Sequence, residues 1–457
     1  MKKKLVIFSL ILSLFITTGL GCKGLSKTQQ QAVVPVTLNY WTVFNDVDQL
    51  RVMATSYQQL RPYVKINVRQ VRYEEFDRLF ANALADDVGP DIISVHTRWL
   101  GKYANRLSPM PANVTVANVT VQGTIAKETV VTSETLAMPN INTIRSQYVG
   151  TVAEDVVINN QIYGLPLAMD TLALYYNKDL LDKSGVPLAP RTWEELSDAV
   201  KKSTKFNVAG DIVQSGIALG TASNIQNAFD IVSLLMMQNG VNMAEGNAVR
   251  FADGLQRPSA DHPAMQALSY YTDFARSTQD FYSWNVRKGD ALQEFMRGTT
   301  VFYLGFAFDK SRIKAGAPQM NLNVIPVPQL NDAAPINVAN YWVESVVSKS
   351  KSQDLAWDFV RFMASQNNVK LYTAKTKQPS PFRVQIAEQQ KDVEMEAFAF
   401  QALTAKNWYH GKDVDAADTA FAEMISTYSQ PLENSNDFLR IQAQAIQRAA
   451  QVVQQTL

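Results

Sequence analysis

The tightest constraint in this sequence is the switching between period-two and period-3.6 apolar patterns over residues 37–95. Leu38 to Val43 reads as a strand. The next segment opens with Asp46, has Gln49 three residues on, and carries Val47, Leu50, Met53, Ala54 and Tyr57 on one helical face. An Asp/Gln pair at that spacing is a capping-box-like start, in which side-chain oxygens satisfy orphaned N–H groups of the first turn. Pro62 closes this helix and Lys65 to Val71 alternates as a second strand. Tyr73, Phe76, Leu79, Phe80, Ala83 and Leu84 mark a second helix that Gly89-Pro90 ends, and Asp91 to Val95 gives a third strand. Strand–helix–strand–helix–strand predicts a mainly parallel sheet covered by helices, an α/β fold. Ligands of such sheets sit beyond the carboxyl ends of the strands, here Phe44-Asn45-Asp46 and His96-Thr97-Arg98-Trp99.

At 457 residues the chain has room for several domains, and a net charge of +1 leaves no basic excess to hold nucleic acid. One cysteine and three histidines (His96, His262, His410) make a metal centre a poor expectation, and no cofactor or metal is expected. Lys2 to Lys4 precede an apolar run from Leu5 to Ile16 and the small-residue stretch Thr17 to Gly21. That pattern predicts a signal peptide over residues 1–21, too short to span a bilayer. Cys22 then resembles the acylated cysteine of a bacterial lipoprotein, with Leu20 two places before it rather than the usual three. Residues 22–34 read as a polar tether, and the expected location is the outer face of the cytoplasmic membrane or the periplasm.

Further along, the Asn113-Val-Thr-Val and Asn118-Val-Thr-Val repeats predict short strands and loops over 105–160. Tyr163 to Leu181 places one acid, Asp170, in a β-rich apolar run. A buried unpaired carboxylate costs several kcal/mol, so Asp170 must reach water and ligand or be fully paired. Pro190-Arg-Thr-Trp-Glu-Glu-Leu holds a capping box, Thr192 with Glu195, and Gln353 three residues after Ser350 predicts another for a helix over 352–364. The Met236-Met237 stripe reads as core.

The run Tyr163 to Pro187 followed by Pro190 to Leu196 resembles the bacterial extracellular solute-binding proteins of family 1, the maltodextrin-binding-like receptors of ABC importers. Tyr40-Trp41, Arg61-Pro-Tyr-Val-Lys-Ile, Gly89-Pro-Asp-Ile-Ile, Phe295-Met-Arg-Gly and Tyr341-Trp342 follow the same order. The resemblance implies a two-lobed periplasmic-binding-protein-like fold (type II) with the ligand cleft between lobes joined by hinge strands. Residues 35–169 plus 337–372 form the expected N-terminal lobe, and 170–336 plus 373–457 the C-terminal lobe. The implied partners are a small solute and the permease subunits of an ABC importer with its separate ATPase, with a lipid anchor holding a monomer to the membrane.

A sugar presents apolar C–H faces and a rim of hydroxyls, so its binder needs flat aromatic surfaces with donors and acceptors around them. The aromatic candidates are Phe44, Trp99, Trp284, Phe306, Trp342 and Trp408, and the polar candidates Asn45, Asp46, His96, Arg98, Asp170 and Glu344. By family position Asn45, Asp46, Asp170 and Trp342 match ligand-facing slots, and the Gly305-Phe306 turn matches a ligand-contact loop. Each has a plainer reading: Asp46 as a helix cap, Trp284 and Trp408 as core edges, Arg98 as half of a surface ion pair. Two rivals remain open, a receptor for a polyamine and a carbohydrate enzyme using Asp170 and Glu344. No Gly-x-Ser-x-Gly, phosphate-loop or His-Glu-x-x-His motif supports catalysis, and no catalytic residue is expected.

Overall fold

The computed structural model describes residues 25–123, 128–430 and 437–457. The signal segment and Cys22 lie outside the described residues. Two five-stranded sheets organise the chain. In the first, Val36–Thr42 pairs in parallel with Val64–Gln70 and with Ile92–His96, the predicted strand–helix units. The returning strand Trp342–Val346 then runs antiparallel to Ile92–His96 and to Leu165–Pro166. Its register sets Trp342 opposite His96 and Glu344 opposite Ser94. A residue some 250 positions further along the chain thereby arrives at the carboxyl edge, where such sheets bind ligands.

The second sheet runs Lys205–Phe206, Ile212–Ile217, Thr300–Gly305, Ala173–Asn177 and Leu322–Pro326. Local chemistry explains the helices that cover both sheets. Asp46 caps the helix Val47–Leu60 by accepting from Gln49 N at 2.9 Å. Thr192 and Glu195 form the full reciprocal box on Trp193–Ser203, whose Leu196, Ala199 and Val200 face inward. The helix Gln353–Met363 buries Trp357, Phe359, Val360 and Met363 completely, and Phe359 meets the rings of Tyr40 and Tyr57. Its buried Asp358 accepts from Tyr57 Oη at 2.9 Å, Arg61 Nε at 3.2 Å and Arg361 Nη2 at 2.8 Å, which offsets the cost of burying a charge.

Four expectations need correction. Gln353 does not cap its helix: its side chain donates to Ser348 O at 2.9 Å and accepts from Ser108 Oγ at 2.8 Å. Within 105–160 the repeats form a hairpin of two ten-residue strands, Asn113–Gln122 and Glu128–Ala137. Two helices follow it, Ile141–Gln147 and Gly150–Val156, each seven residues and so too short to display a 3.6 period. The tether is docked from residue 25 on, because Lys27–Ala32 is a helix with its own capping box and Gln29 Nε2 donates to Val131 O at 3.3 Å. The boundary expected at 373 falls inside the helix Gln366–Thr376, and Phe382 still bridges Tyr148 of the first lobe. The chain reaches the second lobe only by Glu394, which pairs with Lys310 and Lys314.

The lobes meet along crossing segments. Asn340 N donates to Asp170 O at 2.9 Å and Thr171 bridges Ala339, so the outgoing and returning chains lie side by side. Asp155, buried in the first lobe, accepts from Tyr341 Oη at 2.5 Å, Asn407 Nδ2 at 2.7 Å and His410 Nε2 at 2.8 Å. Gly101 packs so closely on this junction that a Cβ there would meet Gly411 O at 2.6 Å and His410 O at 2.7 Å.

Thr192→Ala removes one side of a satisfied capping box and is expected to cost about 1 kcal/mol. Denaturant melting checks this; a loss near zero would show that the cap contributes nothing to the second lobe.

Candidate ligand-binding cleft

Between the lobes lies a cavity of about 490 Å³. Its first-lobe wall is aromatic. Trp342, half-buried, meets Trp99 edge-on at 5.3 Å and His96 at 5.3 Å, and Phe44 lies 5.5 Å from it. Tyr73 adds a further ring, 5.0 Å from Trp99. The second lobe answers with Phe308, whose ring stacks toward Phe44 at 6.3 Å. Phe44 remains 58% exposed, so its face is open to a ligand.

Polar groups ring these faces. His96 is buried and Nδ1 accepts from Arg98 N at 3.2 Å, which assigns the ring proton to Nε2, 2.8 Å from Asn340 Oδ1. Burial, with the Arg98 charge adding to it, pushes His96 down to about 3, so the imidazole is neutral. Asn340 therefore keeps its NH2 as the group the cleft can use. Asn45 lines the cavity while its Nδ2 donates to Glu344 Oε1 at 2.6 Å. Asp170 also reaches the lining, but its carboxylate accepts from Thr171 N at 2.8 Å, Ala307 N at 2.7 Å and Phe308 N at 3.1 Å. Burial raises Asp170 to about 7, against the pull of those three N–H groups. It caps the helix Ala307–Gly316 from the hinge and so fixes Phe308 in place.

The structure thus brings Phe44, Asn45, His96, Arg98, Trp99, Asp170 and Trp342 together and separates the other five candidates. Asp46 is a helix cap, exposed, and does not line the cavity. Trp284 is 0% exposed and donates to Asn224 Oδ1 at 3.1 Å inside the second lobe. Phe306 is 0% exposed, with its carbonyl held by Tyr175 Oη, because the residue directly after a buried strand stays in the core. Trp408 packs on Phe229 and Phe421 and donates to Ser233 Oγ at 3.0 Å. Glu344 is 0% exposed and accepts from Tyr40 Oη at 2.5 Å, Ser94 Oγ at 2.7 Å and Asn45, which makes it the support that aims Asn45.

Sequence reasoning missed Tyr73, Phe308 and Asn340, while Arg98 lines the cavity. Arg98 pairs with acids, as its plainer reading had it, but they are Asp230 and Asp418 across the cleft. Asp230 interrupts the otherwise apolar helix Ala228–Gln238, a signal that was readable. Carboxylates in the lining (Glu74, Asp170, Asp230, Asp418) outnumber the guanidinium groups (Arg98, Arg312).

Burial raises Glu344 from 4.5 to about 7, although three hydrogen bonds pull it down. The folded state therefore holds this proton more tightly, so the linked stability is complete below about 4.5 and is lost as pH rises through about 7. The penalty of Glu344→Gln in thermal melting is expected to be largest at acid pH and to shrink toward neutrality. A penalty that grew with pH would overturn this.

A family model described as bacterial extracellular solute-binding protein matches residues 44–370. Maltodextrin-binding protein MdxE of Bacillus subtilis is 24% identical over 220 residues, 47% of this chain and 49% of that protein. The multiple sugar-binding protein of Streptococcus mutans is 21% identical over 391 residues, 84% of this chain and 83% of that one. This chain spans about half the length of several of the curated relatives it matches. Among solved structures, the GacH receptor of Streptomyces glaucescens, determined unliganded and with acarbose, superposes with a TM-score of 0.67 at 19% identity. That likeness covers 92% of this chain and 99% of GacH, and it shows the two-lobed fold. With the family match spanning both lobes and the cleft between them, the chain belongs to the bacterial extracellular solute-binding protein family.

Proposed function

We propose that this protein is a non-catalytic receptor that captures a neutral carbohydrate between its lobes and delivers it to the permease of an ABC importer. The observation that carries the reading is the aromatic wall of Phe44, Tyr73, Trp99 and Trp342, faced by Phe308 and rimmed by the neutral amides of Asn340 and Asn45. Such surfaces bury the C–H faces of a pyranose while amide groups take its hydroxyls. The names of the Bacillus and Streptococcus relatives agree with it. A two-carboxylate hydrolytic mechanism needs both acids at one bond, and Glu344 lies behind the lining rather than in it. The acid surplus of the cavity supports a cationic solute as the second reading.

The membrane attachment we propose is an acyl group on Cys22, after cleavage of residues 1–21, with the body near-neutral and the lipid supplying the hold. Mass spectrometry of the membrane fraction decides between an acylated and a free cysteine.

A thermal-shift screen of residues 23–457 against mono- and oligosaccharides, polyamines and amino acids tests the reading. A glycan at a hundred times its Kd is expected to stabilise by about 2.7 kcal/mol and to be recovered intact. Stabilisation by polyamines alone would overturn the carbohydrate assignment, and breakdown of the glycan would overturn the receptor. Trp342→Ala is expected to weaken binding about tenfold, about 1.4 kcal/mol, while melting close to the parent protein. Unchanged affinity would remove Trp342 from the site.

A further inference from the structure

The interlobe cavity does not stand alone. A second cavity of about 630 Å³ lies over the start of the helix Ala228–Gln238, lined by Ser223, Asn224, Asp290 and Thr419. Arg98, Gln226, Asp230 and Asp418 line both spaces. Arg98 reaches there from the first lobe, its guanidinium 5.0 Å from the centre of the Phe229 ring. Nη2 meets Asp230 Oδ2 at 3.5 Å, the outer limit of a hydrogen bond, and Nη1 stops 3.8 Å from Asp418 Oδ1.

Arg98 Nη1 and Asp418 Oδ1 are buried atoms with no hydrogen-bond partner among the described residues. A gap of 3.8 Å is too long for a direct bond, and it is the span that one hydroxyl closes by accepting from the guanidinium and donating to the carboxylate. Burial pushes Asp418 up to about 6, opposed by Arg98 and helped by Asp230 and Asp415, so a donor placed there relieves an under-satisfied acid. Beside apolar Ala222, Ile225, Ala228, Phe229 and Ala422, the second cavity is lined by hydroxyl, amide and carboxylate groups and Arg98, with no lysine, a set that takes further neutral hydroxyls.

We propose that Arg98 sets ligand length: bridging toward Asp230 and Asp418, it ends the interlobe cavity, reads the terminal hydroxyl of a short glycan and bars a longer one from the second groove. This rests on the carbohydrate reading above. Removing the guanidinium has two opposite effects. A short glycan loses a charged hydrogen bond, and a long one gains a passage joining the two spaces.

The test is calorimetric titration of the parent protein and Arg98→Ala with length-graded maltodextrins and arabino-oligosaccharides. The shortest binding glycan is expected to weaken about tenfold while the longest holds or tightens, moving the length preference by a factor of ten or more. Equal loss at every length would overturn the proposal and leave Arg98 an ordinary contact or a brace between lobes. If Arg98→Ala fails to fold because Asp230 loses its partner, Arg98→Gln serves, being neutral and too short to reach both acids. Should the parent protein bind no glycan of either series, the carbohydrate reading fails, and a crystal structure of the variant decides the partition by itself. Cavities that stay separate overturn it, and cavities that merge uphold it.

Discussion

Asp170 is the residue on which the two-lobed arrangement turns. Its backbone carbonyl accepts from Asn340 N, tying the outgoing crossing segment to the returning one. Its carboxylate takes three backbone N–H groups, two of them at the start of the helix Ala307–Gly316 in the second lobe. A charge at a helix N-terminus is favoured by the helix dipole and by the orphaned donors there. Crossing segment, second-lobe helix and cleft floor are therefore fixed together, and Phe308 is held where it can face Phe44.

Glu344 plays the matching part in the first lobe. It is buried under the cleft, receives Tyr40, Ser94 and Asn45, and leaves the Asn45 side chain placed at the cavity edge. Each lobe thus buries one acid behind its cavity wall and uses it to set a neighbour that lines the cavity. Removing either acid would strand several buried donors, a larger cost than the loss of one contact.

This arrangement explains what was legible in the sequence. The first-lobe strands and helices and the Thr192 box were readable because their signals are local: apolar periodicity, capping spacing, and Gly or Pro at the ends. Phe44, Trp99 and Trp342 were readable because aromatics at the carboxyl ends of strands have few other uses. Glu344 and Phe306 misled because a buried acid or ring at a strand end looks the same in sequence whether it touches ligand or supports the residue that does. The acid partners of Arg98, Asp230 and Asp418, were not legible, since they come from two distant helices that only the folded lobes bring opposite it.

The division of labour across the cleft has a consequence for how such a receptor closes. The stacking rings Phe44, Tyr73, Trp99 and Trp342 belong to the first lobe, while Phe308 and the polar Asn227, Asp230, Ser311, Arg312 and Asp418 come from the second. Stacking on the first lobe alone is available whether the lobes are open or closed, and a ligand with equal affinity for both states shifts nothing. The free energy of closure must then come from the second lobe's polar groups and Phe308, which a ligand held on the first-lobe wall meets only on closing. Moving a population from 1:99 to 99:1 takes about 5.5 kcal/mol, which two to four hydrogen bonds to charged groups supply at about 1.5–3 kcal/mol each. For the proposed receptor, affinity then resides mainly in the aromatic wall, and the drive to close in the polar groups opposite it.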